Sequence, residues 1–137
     1  MSDDAMAERT VLVVDDYPAL LSWACRAFRR AGWTVLDATD GLAALAAWEA
    51  ANVAGRRVDL LVTDLGMPEL SGVELAQALR SRDAALPIIA LTGHSDHEEA
   101  WDGALLERTS LFRKPVDGAE VIAAAAALTG DRTGRTA

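Results

Sequence analysis

Five polar side chains stand where short apolar runs end: Asp15 and Asp16 after TVLVV, Asp64 after DLLVT, Thr92 closing PIIALT, and Lys114 after LFR. Three carboxylates, a hydroxyl and an ammonium form a set that can handle phosphorus, provided the fold brings them together. Neighbouring carboxylates repel and raise one another's pKa unless a cation neutralises them. All-oxygen donors without histidine or cysteine favour a hard divalent ion, and incomplete ligation that leaves room for waters favours Mg²⁺ over Ca²⁺. An aspartate beside such an ion can act as a nucleophile toward phosphorus, with Lys114 and Thr92 stabilising the equatorial oxygens as charge shifts. Catalysis of this kind rests on positioning and electrostatics.

The elements that must do the positioning are legible as an alternation. Strands are expected at Thr10 to Val14, Thr34 to Ala38, Asp59 to Thr63, Pro87 to Thr92 and Leu111 to Arg113, the central ones apolar throughout, as strands buried on both faces must be. Between them lie alanine-rich helical stretches. The first helix follows Pro18, which suits a first turn, and stacks Leu21, Ala24, Cys25 and Phe28 on one stripe before Gly32 ends it. The second covers Leu42 to Ala51, with Asn52 to Arg57 reading as a loop. Three later helices open on Ser71 before Glu74, Ser95 before Glu98 and Asp117 before Glu120, the spacing of a capping box or its Asp analogue. The pattern predicts an α/β fold, a parallel five-stranded sheet with helices on both faces. The strand-to-helix loops then share one edge, where open α/β sheets bind their ligands. Residues 1–8 and 129–137 read as frayed tails around one ordered unit, 9–128.

Size and charge exclude several functions. With 137 residues the chain holds one core. Net charge is −8 with a pI near 4.6, so its surface repels phosphate backbones and direct nucleic-acid binding is not expected. A single cysteine, Cys25, rules out an intrachain disulfide and reads as an inert core residue. The apolar stretch Val121 to Leu128 is too short to span a bilayer. With no signal peptide in view, the expectation is a cytoplasmic protein without membrane association.

The DD pair in VLVVDDYP, the segment VTDLGMPELSG, the LTG after the fourth strand and the KP after the fifth resemble the response-regulator receiver family, in that order on alternating βα units. The resemblance covers Thr10 to Leu128. It implies a flavodoxin-like (βα)5 fold of strand order 2-1-3-4-5. It makes Asp64 the phosphoacceptor, with Mg²⁺ held by Asp16, Asp64 and the Gly66 carbonyl, and Asp15 acting mostly through a metal-bound water. Thr92 and Lys114 each take a phosphoryl oxygen, and the Lys114–Pro115 peptide is cis. Phosphoryl groups arrive from a phosphohistidine on a histidine kinase or phosphotransfer protein and leave by slow self-catalysed hydrolysis. The resemblance thus implies a signalling phosphoacceptor rather than an enzyme. Nothing after Leu128 is long enough for an output domain, which favours a single-domain regulator that signals to a downstream protein, as a monomer or a weak phosphorylation-dependent dimer. A receiver of, or beside, a hybrid histidine kinase is the alternative.

Each residue alone has a plainer reading: an aspartate pair as turn residues, Lys114 as a solvated charge, Thr92 as a cap. Their combination decides. Trp23 lies off the inward stripe of the first helix beside Ala19 and Leu20. With Tyr17 and Pro115 these residues make a candidate face for the phosphodonor, since an exposed aromatic among aliphatics suits a transient interface. Trp33, Trp48 and Trp101 read as packing residues. His94 and His97 read as solvated helix-start residues, with His94 a candidate for touching the water that hydrolyses the acyl phosphate. The family's usual aromatic three residues before the lysine is replaced by Leu111, with Phe112 beside it, and a common glycine before the fifth strand is replaced around Glu107. A small Mg²⁺-dependent aspartyl phosphatase is disfavoured, because Gly66 stands where a general acid belongs and no cap segment exists.

Overall fold

A computed structural model describes residues 9–67, 69–93 and 107–134, without the side chains of 131–134. Five strands, β1 (Thr10–Val14), β2 (Thr34–Ala38), β3 (Leu60–Asp64), β4 (Ile88–Thr92) and β5 (Thr109–Arg113), form one parallel sheet of order β2-β1-β3-β4-β5. The described helices are α1 (Pro18–Arg30), α2 (Gly41–Val53), α3 (Gly72–Arg82) and α4 (Gly118–Gly134). The helix expected after Ser95 lies outside the described residues, as do His94, His97 and Trp101.

The period-2 alternation of the strands splits the core in two. Leu12 and Val14 of β1, with Leu61 and Ile88, pack under α2 and α3, while Val11 and Val13, with Leu60, Val62, Ile89 and Leu91, pack under α1 and α4. Strands β1, β3 and β4 are buried along their whole length, which explains their unbroken apolar runs. The inward stripe of α1 is as read: Leu21, Ala24, Cys25 and Phe28 are buried. Phe28 meets Trp33 edge-on at 5.4 Å. Trp33 and Trp48 are packing residues, both buried.

Cap chemistry sets the helix ends. Asp40 accepts the Ala43 N–H at 2.7 Å, and Ser71 and Glu74 form a complete capping box at the start of α3. Asp117 departs from the expected reach: its carboxylate accepts the Ala119 N–H at 3.0 Å, while the Glu120 N–H donates to the Asp117 carbonyl. Two boundaries move outward. Helix α2 runs two residues past Ala51, because Gly55 takes a left-handed φ of 77° and lets the Arg56 N–H reach back to the Ala51 carbonyl. Helix α4 continues past Leu128 to Gly134. Thr129, assigned to a tail from the sequence, is fully buried, donates to the Ala125 carbonyl and accepts from Arg9, whose guanidinium lies over Trp33.

Candidate functional site

Because all five strands run the same way, the residues after β1 and those ending β3, β4 and β5 come to one edge. Asp64 is the last residue of β3, and Asp15 follows the last residue of its neighbour β1. One carboxylate oxygen from each of Asp15, Asp16 and Asp64 lies within 4.8 Å of the others. Lys114, just past β5, spans the group: its Nζ is 3.1 Å from Asp64 Oδ1 and 3.3 Å from Asp15 Oδ2. Its backbone N–H donates to the Thr92 carbonyl at 2.8 Å, tying the ends of β4 and β5, and the Lys114–Pro115 peptide is cis. Thr92 is buried at the end of β4, beside β3, and Gly66 is exposed two residues beyond Asp64.

The charges are in tension. Burial pushes the Asp15 carboxyl above its ordinary value, against the opposing pull of the Tyr17 N–H at 2.9 Å and of Lys114, while Asp64 pushes it the same way as burial. Burial also works against the Lys114 ammonium, but its bond to Asp64 and the field of Asp15 together raise its pKa. One ammonium among three carboxylates leaves a deficit of positive charge. An octahedral ion with bonds of ~2.1 Å holds neighbouring donors about 3 Å apart, so the three oxygens would close inward to seat Mg²⁺ together. The donor set fits that ion.

Local backbone packing holds Asp64 in place. Thr63 Oγ1 donates to the Asp64 carbonyl at 2.9 Å, and the Gly72 N–H donates to the Leu65 carbonyl at 3.1 Å. A Cβ on Gly72 would collide with the Asp64 carbonyl oxygen and stand 2.8 Å from Leu65 Cα. Gly72 is therefore a site-shaping residue that the sequence reading missed. Its signal was the Ser-Gly pair at the helix start, read only as a cap.

Beside the pocket, Ala19, Leu20, Trp23, Pro115 and Val116 line an apolar cavity of about 290 Å³ that also touches Lys114. Trp23 is half-buried rather than exposed, because its ring packs toward Gly118 on α4, where an added Cβ would come within 3.4 Å of it. Tyr17 is exposed. Leu111 projects to solvent from edge strand β5, whereas Phe112 packs with the α1 and α4 layer on the other face. Phe112 thus does not stand in for the missing aromatic. Cys25 is buried 3.8 Å from Asp37, and burial pushes its thiol up, consistent with an inert core residue.

A parallel sheet of this order with an acidic pocket at its C-terminal edge defines the receiver class of α/β domains, and known structures agree. A response regulator receiver domain protein from Clostridium thermocellum superposes with a TM-score of 0.77 at 26% identity, covering 90% of this chain and 96% of that one. The Vibrio cholerae chemotaxis protein CheY4 gives 0.73 at 27%, covering 92% and 98%. The chain belongs to the response regulator receiver domain family, whose model matches residues 11–126. Among curated relatives, the probable transcriptional regulatory protein TcrX of Mycobacterium tuberculosis is 35% identical over 93% of this chain, and the sensor protein EvgS of Escherichia coli K12 is 35% identical over 78%. The chain spans about half the length of TcrX and 8% of EvgS. Among the described residues, no helix is long and apolar enough to cross a membrane.

Proposed function

We propose that Asp64 accepts a phosphoryl group from a phosphohistidine on a histidine kinase or phosphotransfer protein, and that the modified domain signals by protein contact. The observation that carries this reading is Lys114 Nζ reaching both Asp64 and Asp15, 3.1 and 3.3 Å away, from far along the chain. In the reaction an Asp64 carboxylate oxygen forms a bond to phosphorus while the phosphorus–nitrogen bond to the histidine breaks. Lys114 takes one phosphoryl oxygen, and Thr92, buried at the end of β4 next to β3, takes another. Asp15, Asp16, Asp64 and the Gly66 carbonyl would hold Mg²⁺, which when bound supplies positive charge for the incoming phosphoryl oxygens. Hydrolysis of the acyl phosphate returns the free carboxylate.

The apolar cavity formed by Ala19, Leu20, Trp23 and Pro115, with Tyr17 near the acidic residues, supports a donor-docking face abutting the pocket. A cytoplasmic setting follows from the chemistry of the proposed donors. The likeness to CheY4 over 98% of that chain supports a stand-alone regulator, and the likeness to EvgS supports a module of a sensor kinase. The mass of the native protein, near 14.5 kDa or far above it, separates the two.

The test is incubation with Mg²⁺ and a small acyl-phosphate donor, read by intact mass. Wild type should gain one phosphoryl group, and Asp64→Asn none. Equal gain in both proteins would refute Asp64 as acceptor, and steady turnover of varied phosphoesters would favour a phosphatase instead.

A further inference from the structure

At the opposite edge of the sheet, the loop between α2 and β3 and the end of α3 enclose a cavity of about 390 Å³. It lies next to Val58, two residues before β3 and roughly 20 Å along the chain from Asp64. For a chain of net charge −8 its lining has an unexpected sign, since Arg56, Arg57 and Arg82 all border it. Arg57 meets Asp59 at 3.8 Å and Arg82 meets Glu49 at 3.3 Å. The Arg82–Glu49 pair faces solvent and contributes little, while the exposed Arg57 stands 3.8 Å from the largely buried Asp59, too far for a hydrogen bond. Arg56 makes no ion pair among the described residues. Asp83, the sole carboxylate among the described lining residues, accepts the Ala85 N–H at 3.2 Å.

Trp48 gives the cavity a spectroscopic reporter. The residue borders the cavity while only 5% exposed, and its buried indole Nε1–H has no acceptor among the described residues. Buried donors without a partner are rare in folded proteins. This one is closed off from solvent as well, so Trp48 serves as a reporter at the cavity wall.

We infer that this cavity binds a small phosphate-bearing molecule of mononucleotide size or less, with Arg56, Arg57 and Arg82 on its phosphate and Trp48 at the cavity wall. Guanidinium forks match phosphate oxygens pairwise and outperform a point charge in doing so. The volume falls in the lower part of the ~300–1,000 Å³ range of small-molecule sites. A long nucleic acid is disfavoured, because the remainder of the acidic surface repels it. Nothing in phosphoryl transfer at Asp64 requires this cavity, so the two sites can be tested apart.

The test uses the full chain without Mg²⁺, following the Trp48 indole N–H by two-dimensional ¹H–¹⁵N NMR during titration with inorganic phosphate, pyrophosphate and adenosine monophosphate. The expected result is a saturable shift of that signal, with Kd below about 1 mM for at least one of the three. Arg56→Ala combined with Arg57→Ala, both exposed positions, should weaken it at least about tenfold, whereas Asp64→Asn should leave it intact. Stronger binding of the nucleotide than of the inorganic ions would assign a nucleotide, and equal binding would assign free phosphate. An unmoved Trp48 signal, a shift undiminished by loss of the two arginines, or loss of the shift in Asp64→Asn overturns the inference.

Discussion

Two buried aspartates bracket β1, and their surroundings differ. Asp59 lies beside the start of the strand in a reciprocal clasp: its carboxylate accepts the Thr10 N–H at 2.8 Å, its own N–H donates to the Thr10 carbonyl at 2.8 Å, and Arg57 stands 3.8 Å away. Asp15, at the other end, accepts one backbone N–H and must share Lys114 with Asp64, and burial still drives its carboxyl upward. Burial alone does not separate the two, at 8% and 3% exposure. What separates them is their company: among the described residues Asp59 has Arg57 to itself, whereas Asp15 shares one ammonium with Asp64 and has two further carboxylates within 4.8 Å. An acid with a cation of its own suits an anchor, and one crowded by other carboxylates suits a cation from outside.

The largest expected effect removes the functional end without touching a charged group. Gly72→Ala should force the Asp64 and Leu65 backbone aside, lowering stability in urea by on the order of 3 kcal/mol and sharply reducing acyl-phosphate labelling. Normal labelling would show that Asp64 tolerates displacement. Next, Asp59→Ala leaves the buried Thr10 N–H without its acceptor and should cost about 1–3 kcal/mol in denaturant melts, with Mg²⁺ affinity unchanged. A matching loss of Mg²⁺ affinity would dissolve the distinction between the two ends.

The smallest stability effect belongs to Asp15→Asn, and its sign sharpens the contrast. Since the folded Asp15 carboxyl titrates above 3.8, its contribution to stability is fully present below that pH and is lost as pH rises through the raised value. At neutral pH the ionised group burdens the free protein, and Lys114 retains Asp64 as a partner when Asp15 is neutralised. Asp15→Asn should therefore melt at or above the wild-type temperature at pH 7, converge with it in acid, and bind Mg²⁺ at least about tenfold more weakly. Destabilisation at pH 7 comparable to Asp59→Ala would make Asp15 an ordinary anchor.

Much of this was legible in the sequence because burial on both faces writes itself as apolar runs. Strands β1 and β2 begin and end where expected. Strand β5 starts two residues earlier than its apolar residues suggested, since Thr109 and Ser110 sit on a half-exposed edge strand and carry no hydrophobic signal. The end of α2 was hidden because Asn52 and Val53 face solvent, Val53 at 88% exposure. The replaced glycine before β5 has a visible consequence: Arg108 adopts φ 55°, a left-handed conformation unfavourable for a residue with a Cβ. The acidic residues and Lys114 were legible as a set, because polar residues at the ends of apolar strands stand out. Gly72 was not, because its role is a clearance between two backbones far from any periodic pattern. Trp48 was read correctly as packing, but no sequence pattern tells whether an indole N–H finds an acceptor.

Lys114 is joined to its surroundings twice over, by its main chain to the last carbonyl of β4 and by its ammonium to the two carboxylates. A flexible four-carbon stem joins those two attachment points. A single residue thereby links the acidic cluster at the mouth of the sheet to its outermost strand.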